Sequence, residues 1–548
     1  MLIAASGAMA CTNFIVGKKA SKDGSVICSY SADSYGMFTG LRHQPAAKHQ
    51  KGDMRKIYEW DTNKYLGEIP EAAETYNTIG NINEWQVTIG ETTFGGREEM
   101  VDTTGIIDYG SLIYIALQRA KTAREAISIM TTLVEQYGYC SEGETFTICD
   151  PNEAWIMEMM GAHMPDSVKA TLKPSARKQL GRTVWVALRI PDDMICGHAN
   201  QSRITTFNMK DKSGDVLYSK NVVTYARQMG WFTGKDEAFS YNAAYAKPDF
   251  TGRRICDARV WSFFNRYADG MDRYLAWADG HDKDAEVMPL WVKPSRLLTV
   301  ADVEAAMRDH FEGTPFSLDQ DMGGGLWEMP YRPTPLYFEV DGKKYFNERP
   351  VSTQQAGFVY VSQMRSWLPR QVGGCFWFAN DDGNMVPFTP VYCCATEAPR
   401  PYNTPGADDL NFSFDNAYCA ELGQQHGLSP LQRALPQSEG GTRLARPVVL
   451  PRTERGGGPR TGHGRECPRE ISDRLHRRQS HTDVRPLEEA CHVSHCEIQR
   501  YDCEARRERT VHPHPLRLWF YGEASGLSHP IRLRPGQADR RQIPAACR

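Results

Sequence analysis

The chain has 548 residues, of which 41% are hydrophobic and 24% charged, with a formal net charge of −3. This is globular composition and excludes collagen, coiled coil and wholesale disorder; no run reaches the ~18 apolar residues of a membrane span. The near balance of charge excludes a polyanion binder that works by bulk electrostatics.

The average conceals a break. Residues 1–420 hold 42 Lys+Arg against 52 Asp+Glu, a charge of −10. Residues 421–548 hold 22 Arg, no Lys and 15 Asp+Glu, a charge of +7, with nine of the 15 His and five of the 15 Cys. The two stretches are read separately.

The first ten residues are small and apolar and end in Ala8-Met9-Ala10, a signal-peptidase pattern directly before Cys11. They are read as a signal or pro-peptide remnant over 1–10, with the expectation of an exported protein. Lipidation of Cys11 is the lesser alternative, because Ala8 stands where a lipoprotein signal usually has Leu. Thr12–Val16 and Ser25–Ser31 are β-rich runs around the turn Lys22-Asp23-Gly24 and predict a hairpin that begins at Cys11. Ile79–Phe94 reads as strand, with Gly90 at a bulge. Ala126, Ile129, Met130, Leu133 and Val134 share one helical face. Thr145–Cys149 and Ala154–Met159 form a second hairpin and Val184–Ile190 a further strand. Val372–Phe378 and Val386–Cys393 form a third hairpin. Strands in hairpins and helices in a block predict an α+β fold rather than alternating βαβ units. Neither dinucleotide nor P-loop glycine motif occurs.

Cleavage before Cys11 would place a free α-amine beside its own thiol. Their ordinary pKa values, about 7.7–8.0 and about 8.5, allow the amine to take the thiol proton near neutral pH. One residue then supplies nucleophile and base, and needs an acid to hold the amine and donors for an oxyanion. The competing reading of Cys11 is a buried or disulfide-bonded cysteine.

Cys11-Thr12-Asn13-Phe14-Ile15-Val16-Gly17, then Asp23-Gly24-Ser25 and Ser31-Ala32-Asp33, resemble the opening of the cysteine dipeptidases. These are dipeptidase A-like N-terminal-nucleophile hydrolases, related to choloylglycine hydrolases and penicillin V acylases. Asn81–Val87 with Gly90-Glu91-Thr92-Thr93, Gly197–Ile204 and Arg259-Val260-Trp261 continue the likeness. It covers Cys11–Tyr418, the expected domain of 11–418. The resemblance implies a four-layer αββα sandwich with Cys11 as nucleophile and a thioester acyl-enzyme. It implies that Asp33 holds the Cys11 amine and that Asn83 donates to the oxyanion. Asn200 would contact the amine or the oxyanion. Arg259 would lower the thiol pKa, with Arg254 as its rival. Lys18-Lys19 does not supply the Arg that some bile-acid relatives carry before their Asp. Dipeptides and short peptides are the implied substrates. Their ammonium and carboxylate call for opposite charges in the pocket, for which Glu91, Glu144, Glu158 and Arg203 are candidates. A non-peptide amidase of the same superfamily and a lipid-anchored surface protein without catalysis remain alternatives. No metal, organic cofactor or nucleic acid is expected, and the oligomeric state stays open.

The family-like text stops at Tyr418. An Arg-rich, Lys-free tail over 419–548 is what a shifted frame of GC-rich coding sequence would produce. Read from the second base, codons permitted for 421–428 spell Ser-Trp-Val-Ser-Asn-Met-Val. A frameshift near Cys419 and a disordered tail are therefore expected. The zinc-like cluster Cys491-His492-Val493-Ser494-His495-Cys496 with Cys503 has no common zinc spacing and is read as coincidence.

Overall fold

The computed structural model describes residues 10–33, 40–177, 180–320, 322–332, 337–346 and 348–404. The leader before Ala10 and the whole tail, with its expected frameshift and its Cys/His cluster, lie outside the described residues. The fold is α+β, built on two antiparallel sheets.

The first sheet has seven strands. In spatial order they are Trp291–Val292, Ile195–His198, β1 (Ala10–Val16), β2 (Val26–Asp33), Ala356–Met364, Gly374–Asn380 and Thr389–Tyr392. β1 and β2 form the expected hairpin, with Cys11 opposite Ala32 and Ala10 opposite Asp33. Its turn is local chemistry: the Asp23 carboxylate accepts from the Ser25 amide and hydroxyl at 3.1 and 2.6 Å, and Gly24 takes φ +83°.

The second sheet has eight strands, in the order Val216–Tyr218, Thr183–Ile190, Ala154–Gly161, Gly143–Cys149, Thr88–Gly95, Ile82–Asn83, Thr78–Ile79 and His43–Gln44. The run expected as one strand over Ile79–Phe94 is thus three. A turn at Gly80–Asn81 separates the first two, and Asn83–Val87 loops before the third. The register shift falls between Thr93 and Gly95, not at Gly90, which pairs regularly with Thr147.

The two-residue period of the strands sorts side chains into layers. On β1, Cys11 and Ile15 face the apolar layer that also holds Ile156, Met160, Val184 and Val186 of the second sheet. Phe14 and Val16 face the other way, against helix Ala258–Tyr267. Phe146, Ile148, Trp155 and Met157 of the second sheet pack against helices α1 (Tyr109–Arg119) and α2 (Ala123–Tyr137). α2 is the helix read from its apolar face. Thr122 caps its start, accepting from the Glu125 amide at 3.2 Å, and Gly138 ends it at φ +79°.

Polar side chains also join the sheets. Asn13 Nδ2 donates to the Glu91 carbonyl at 2.7 Å, and Thr88 Oγ1 donates to Ser362 Oγ at 3.1 Å. The two ring nitrogens of His198 bond the hydroxyls of Thr92 and Thr147, each at 2.7 Å. Burial holds this imidazole well below its ordinary pKa, so it is a neutral clamp. Gly90 permits the approach: a Cβ there would meet Asn13 Oδ1 at 2.3 Å and the Tyr360 hydroxyl at 3.1 Å.

Candidate active site

The site gathers where β1 begins. Cys11 is 1% exposed, and its backbone N–H donates to Asn200 Oδ1 at 2.8 Å. Asn200 follows the strand Ile195–His198, whose antiparallel pairing with β1 sets His198 opposite Asn13 and brings the next turn beside Cys11. Asn200 holds φ +58°, a left-handed conformation that Asn tolerates better than most residues. Its Nδ2 donates to the Thr93 carbonyl at 2.7 Å, which fixes the amide with its oxygen toward Cys11.

Arg259 braces the same point from the first turn of helix Ala258–Tyr267, directly after a π-helical stretch over Gly252–Asp257. It is fully buried. Nη1 donates to the Cys11 carbonyl at 2.9 Å and to Thr12 Oγ1 at 2.7 Å. Nη2 donates to Asn200 Oδ1 at 3.0 Å and to the Ala199 carbonyl at 3.2 Å, and Nε to the Ile255 carbonyl at 2.9 Å. A buried guanidinium is tolerated only when its donors are satisfied in this way. Arg259 therefore grips the main chain of Cys11. In the uncleaved chain the thiol is pushed up by burial, then by the charges of Glu91 and Asp33. Arg254 does not compete, because it is paired with Glu348 and lies over the ring of Phe316.

Asp33 closes β2 opposite Ala10. Its carboxylate is buried, neither oxygen makes a hydrogen bond, and Arg349 stands 3.6 Å away. Burial raises its pKa to about 7 against the pull of Arg349 and Arg259.

On the thiol side, Tyr30 and Glu91 complete the surroundings. Cys11 Sγ lies 3.5 Å from Glu91 Oε1 and 3.7 Å from the Tyr30 hydroxyl, and Tyr30 donates to Glu91 Oε1 at 2.5 Å. Behind Glu91 sits Glu144, bonded by Thr93 Oγ1 at 2.5 Å. Burial pushes both carboxyls up; the charge of Glu91 pushes Glu144 further, while hydrogen bonds from Tyr30, Glu144 and Cys11 hold Glu91 back, so Glu144 keeps its proton first.

The remaining candidates are structural. Asn83 is not brought to Cys11. Its Nδ2 donates to the Leu117 and Ala120 carbonyls at the end of α1, both at 2.7 Å. Its Oδ1 accepts from the Trp85 and Val87 amides. Both amide hydrogens are spent, which corrects the oxyanion expectation. Glu158 accepts from Ser202 and from the Arg203 and Ile204 amides. Arg203 donates to the Gly197, Pro289 and Leu290 carbonyls and pairs with Asp257. Tyr30 escaped the sequence reading. The signal was its place on β2, two residues from Ala32 and on the face that Cys11 shares. Among the described residues, no three His, Cys, Asp or Glu side chains gather as a metal site, and no helix is long and apolar enough to cross a membrane.

A buried cysteine near the start of a central strand, its nitrogen held by Asn200 and its carbonyl by Arg259, is the candidate reactive group of the site. The chain belongs to peptidase family C69, whose family model matches residues 10–422. Among curated proteins it is 23% identical over 409 residues to a probable dipeptidase of Salmonella dublin, covering 70% of this chain and 81% of that protein. It is 24% identical over 445 residues to a probable dipeptidase A of Streptococcus pyogenes serotype M3, covering 76% and 84%. With dipeptidase A of Lactobacillus helveticus the identity is 23% over 437 residues, covering 75% and 81%. The chain is a cysteine-type peptidase.

Proposed function

We propose that the chain is an exported dipeptidase that uses Cys11, freed by cleavage after Ala10, as an N-terminal nucleophile on an αββα sandwich. The observation that carries the reading is the grip on Cys11: Asn200 holds its nitrogen and Arg259 its carbonyl, while its sulfur faces Tyr30 and Glu91. The two layered sheets with helices on their outer faces, and the dipeptidase names of the relatives, support it.

In the uncleaved chain, burial and two carboxylates keep the thiol protonated and inert. Cleavage adds the missing positive charge two bonds from Cβ. The new amine faces the unbonded carboxylate of Asp33, whose partner residue Ala10 has left. The amine takes the thiol proton, and Sγ attacks the substrate carbonyl. The amine returns the proton to the departing nitrogen as the C–N bond breaks and a thioester forms. Water, deprotonated by the same amine, releases the acid, and the sulfur leaves with the proton. Asn200 orients the amine, and Arg259 keeps the β1 backbone from recoiling.

The test is the mass of the N-terminal peptide of the protein from its own host, with hydrolysis by a Cys11→Ala variant carrying the same exposed N-terminus. An unmodified Cys11 at the start and loss of hydrolysis in the variant support the reading. Turnover by Cys11→Ala, retention of residues 1–10 in active protein, or lipid on Cys11 overturns it. Faster hydrolysis of an N-acyl amide than of a dipeptide would turn it toward a non-peptide amidase.

A further inference from the structure

The paired carboxyls beside the thiol are held by side chains, Glu91 by Tyr30 and Cys11 and Glu144 by Thr93, and not by backbone amides as Glu158 is. Glu91 and Glu144 are 1% and 0% exposed, on neighbouring strands of the second sheet. Oε2 of each receives no hydrogen bond from an N–H or a hydroxyl. The hydroxyl of Tyr139, fully buried and within electrostatic reach of both, also has no hydrogen-bond partner. A protonated Glu144 gives its hydrogen bond to Glu91, so the pair carries one negative charge with no cation among its hydrogen-bond partners. A carboxylate 3.5 Å from the sulfur also opposes thiolate formation. A peptidase gains nothing from that repulsion unless its substrate removes it.

A peptide ammonium does so. It brings three donors and one positive charge. At near-attack distance the sulfur lies about 3–3.5 Å from the reacting carbonyl carbon. The α-nitrogen of the same residue lies two bonds from that carbon, about 2.5 Å through space from standard bond lengths. An ammonium that close to the reacting carbon can be turned to within bonding range of Glu91 Oε1, itself 3.5 Å from Sγ. In an extended substrate the α-nitrogen of a residue further from the scissile bond stands about one Cα–Cα step, ~3.8 Å, farther away.

We propose that Glu91, backed by Glu144, receives the α-ammonium of the residue whose carbonyl Cys11 attacks. The inference rests on Cys11 as the nucleophile. It specifies the substrate as a peptide with a free N-terminus, cut at its first peptide bond. Binding neutralises Glu91, relieves the repulsion on the sulfur, and favours the neutral form of the Cys11 amine that the reaction needs. An N-acylated peptide brings no charge and leaves the thiol protonated, so selectivity appears in kcat as well as KM.

The experiment compares a dipeptide with its N-acetyl derivative on the chain that begins at Cys11, in wild type, Glu91→Gln and Glu144→Gln, with folding followed by thermal unfolding. Wild type should favour the free dipeptide by at least about 10³-fold in kcat/KM, a loss of the order seen when a charge-assisted contact is left unmade. Glu91→Gln should lower dipeptide turnover by about 10²-fold or more and should not slow the N-acetyl substrate, whose rate rises as the repulsion on the sulfur is lifted, so that the preference collapses. A tripeptide should release its N-terminal amino acid first. A folded Glu91→Gln that keeps the wild-type preference, or loses both substrates equally, overturns the proposal. If neither variant folds, wild type alone decides: comparable rates on free and acetylated peptides, or first release of the C-terminal amino acid, overturn it. Hydrolysis by Cys11→Ala would instead overturn the nucleophile reading. Cys11-dependent hydrolysis without preference for a free N-terminus overturns this inference alone.

Discussion

Asn200 Oδ1 accepts the backbone N–H of Cys11 at 2.8 Å, from a residue 189 positions away in the chain. The same oxygen accepts Arg259 Nη2 at 3.0 Å, so one amide dipole links the nitrogen of the candidate nucleophile to a buried cation. That link explains the left-handed backbone of Asn200. The turn after Ile195–His198 is bent to deliver a short amide to one point, and such backbone is retained where a site needs it.

Asn200→Gly separates backbone from side chain. Glycine adopts φ +58° without penalty, so the turn persists while the acceptor vanishes. Peptide hydrolysis should fall by about 10²-fold, the cost of losing one preorganised polar group. Thermal stability should fall by no more than about 1–2 kcal/mol. Steady-state kinetics beside a melting curve checks both. Unchanged kcat/KM would show that Asn200 shapes only the turn.

Arg259→Lys keeps the charge and loses the fork. Five hydrogen bonds, to Cys11, Thr12, Ala199, Asn200 and Ile255, depend on the planar guanidinium. An ammonium has three donors at one point. Partly breaking a buried, paired cation costs about 3–5 kcal/mol. The variant should melt several degrees lower and lose activity by at least about tenfold. Differential scanning calorimetry of the two chains reads the first effect, and initial rates read the second.

How much of this site is legible in sequence follows from which contacts are local. The hairpin of β1 and β2 can be read because alternation and an Asp-Gly turn lie within one short segment, and it sets Asp33 beside the start of β1. Asn200 and Arg259 can be read only through the family likeness, since their meeting at Cys11 spans 189 and 248 residues. Asn83 misleads for a physical reason. Asn in a turn can serve a ligand or its own backbone, and only the position of the end of α1 shows that the backbone took it. Glu158 looks identical to Glu91 in sequence, yet one meets three donors and the other a thiol. Gly90 reads as a bulge because interior glycine often marks one. Its actual duty is a close approach between two sheets, and that depends on strands far apart in the chain.

That duty gives a third prediction. In Gly90→Ala the new Cβ would stand 2.3 Å from Asn13 Oδ1, and Asn13 is held by its bond to the Glu91 carbonyl. The sheets must separate there, at a cost of about 1–3 kcal/mol. Glu91, the next residue, moves away from Cys11 with them. Activity should therefore fall more steeply than stability, and denaturant melts paired with kcat/KM would reveal the difference.

The last prediction concerns the carboxylate of Asp33. Its pKa stands at about 7 in the uncleaved fold, where burial outweighs Arg349, against an ordinary value near 3.9 in the unfolded chain. Between those values the native state binds the proton that the unfolded state has released, so stability falls as pH rises. The penalty is absent below about pH 4, grows through pH 7 and is complete above it, at about 1.4 kcal/mol for each pH unit that separates the two values. Asp33→Asn removes the titration. The uncleaved variant should match wild type at about pH 4 and melt above it at about pH 8, the gap opening between. Cleaved at Ala10, the same variant should hydrolyse peptides at least about 10²-fold more slowly, because the Cys11 amine has lost its counter-charge. A higher melting point with poorer catalysis is the signature of a charge kept for chemistry rather than for folding. Melting curves of the uncleaved pair across about pH 4–8 would show it, and a gap that closes toward high pH would reverse the assignment of which state bears the cost of the ionised carboxylate.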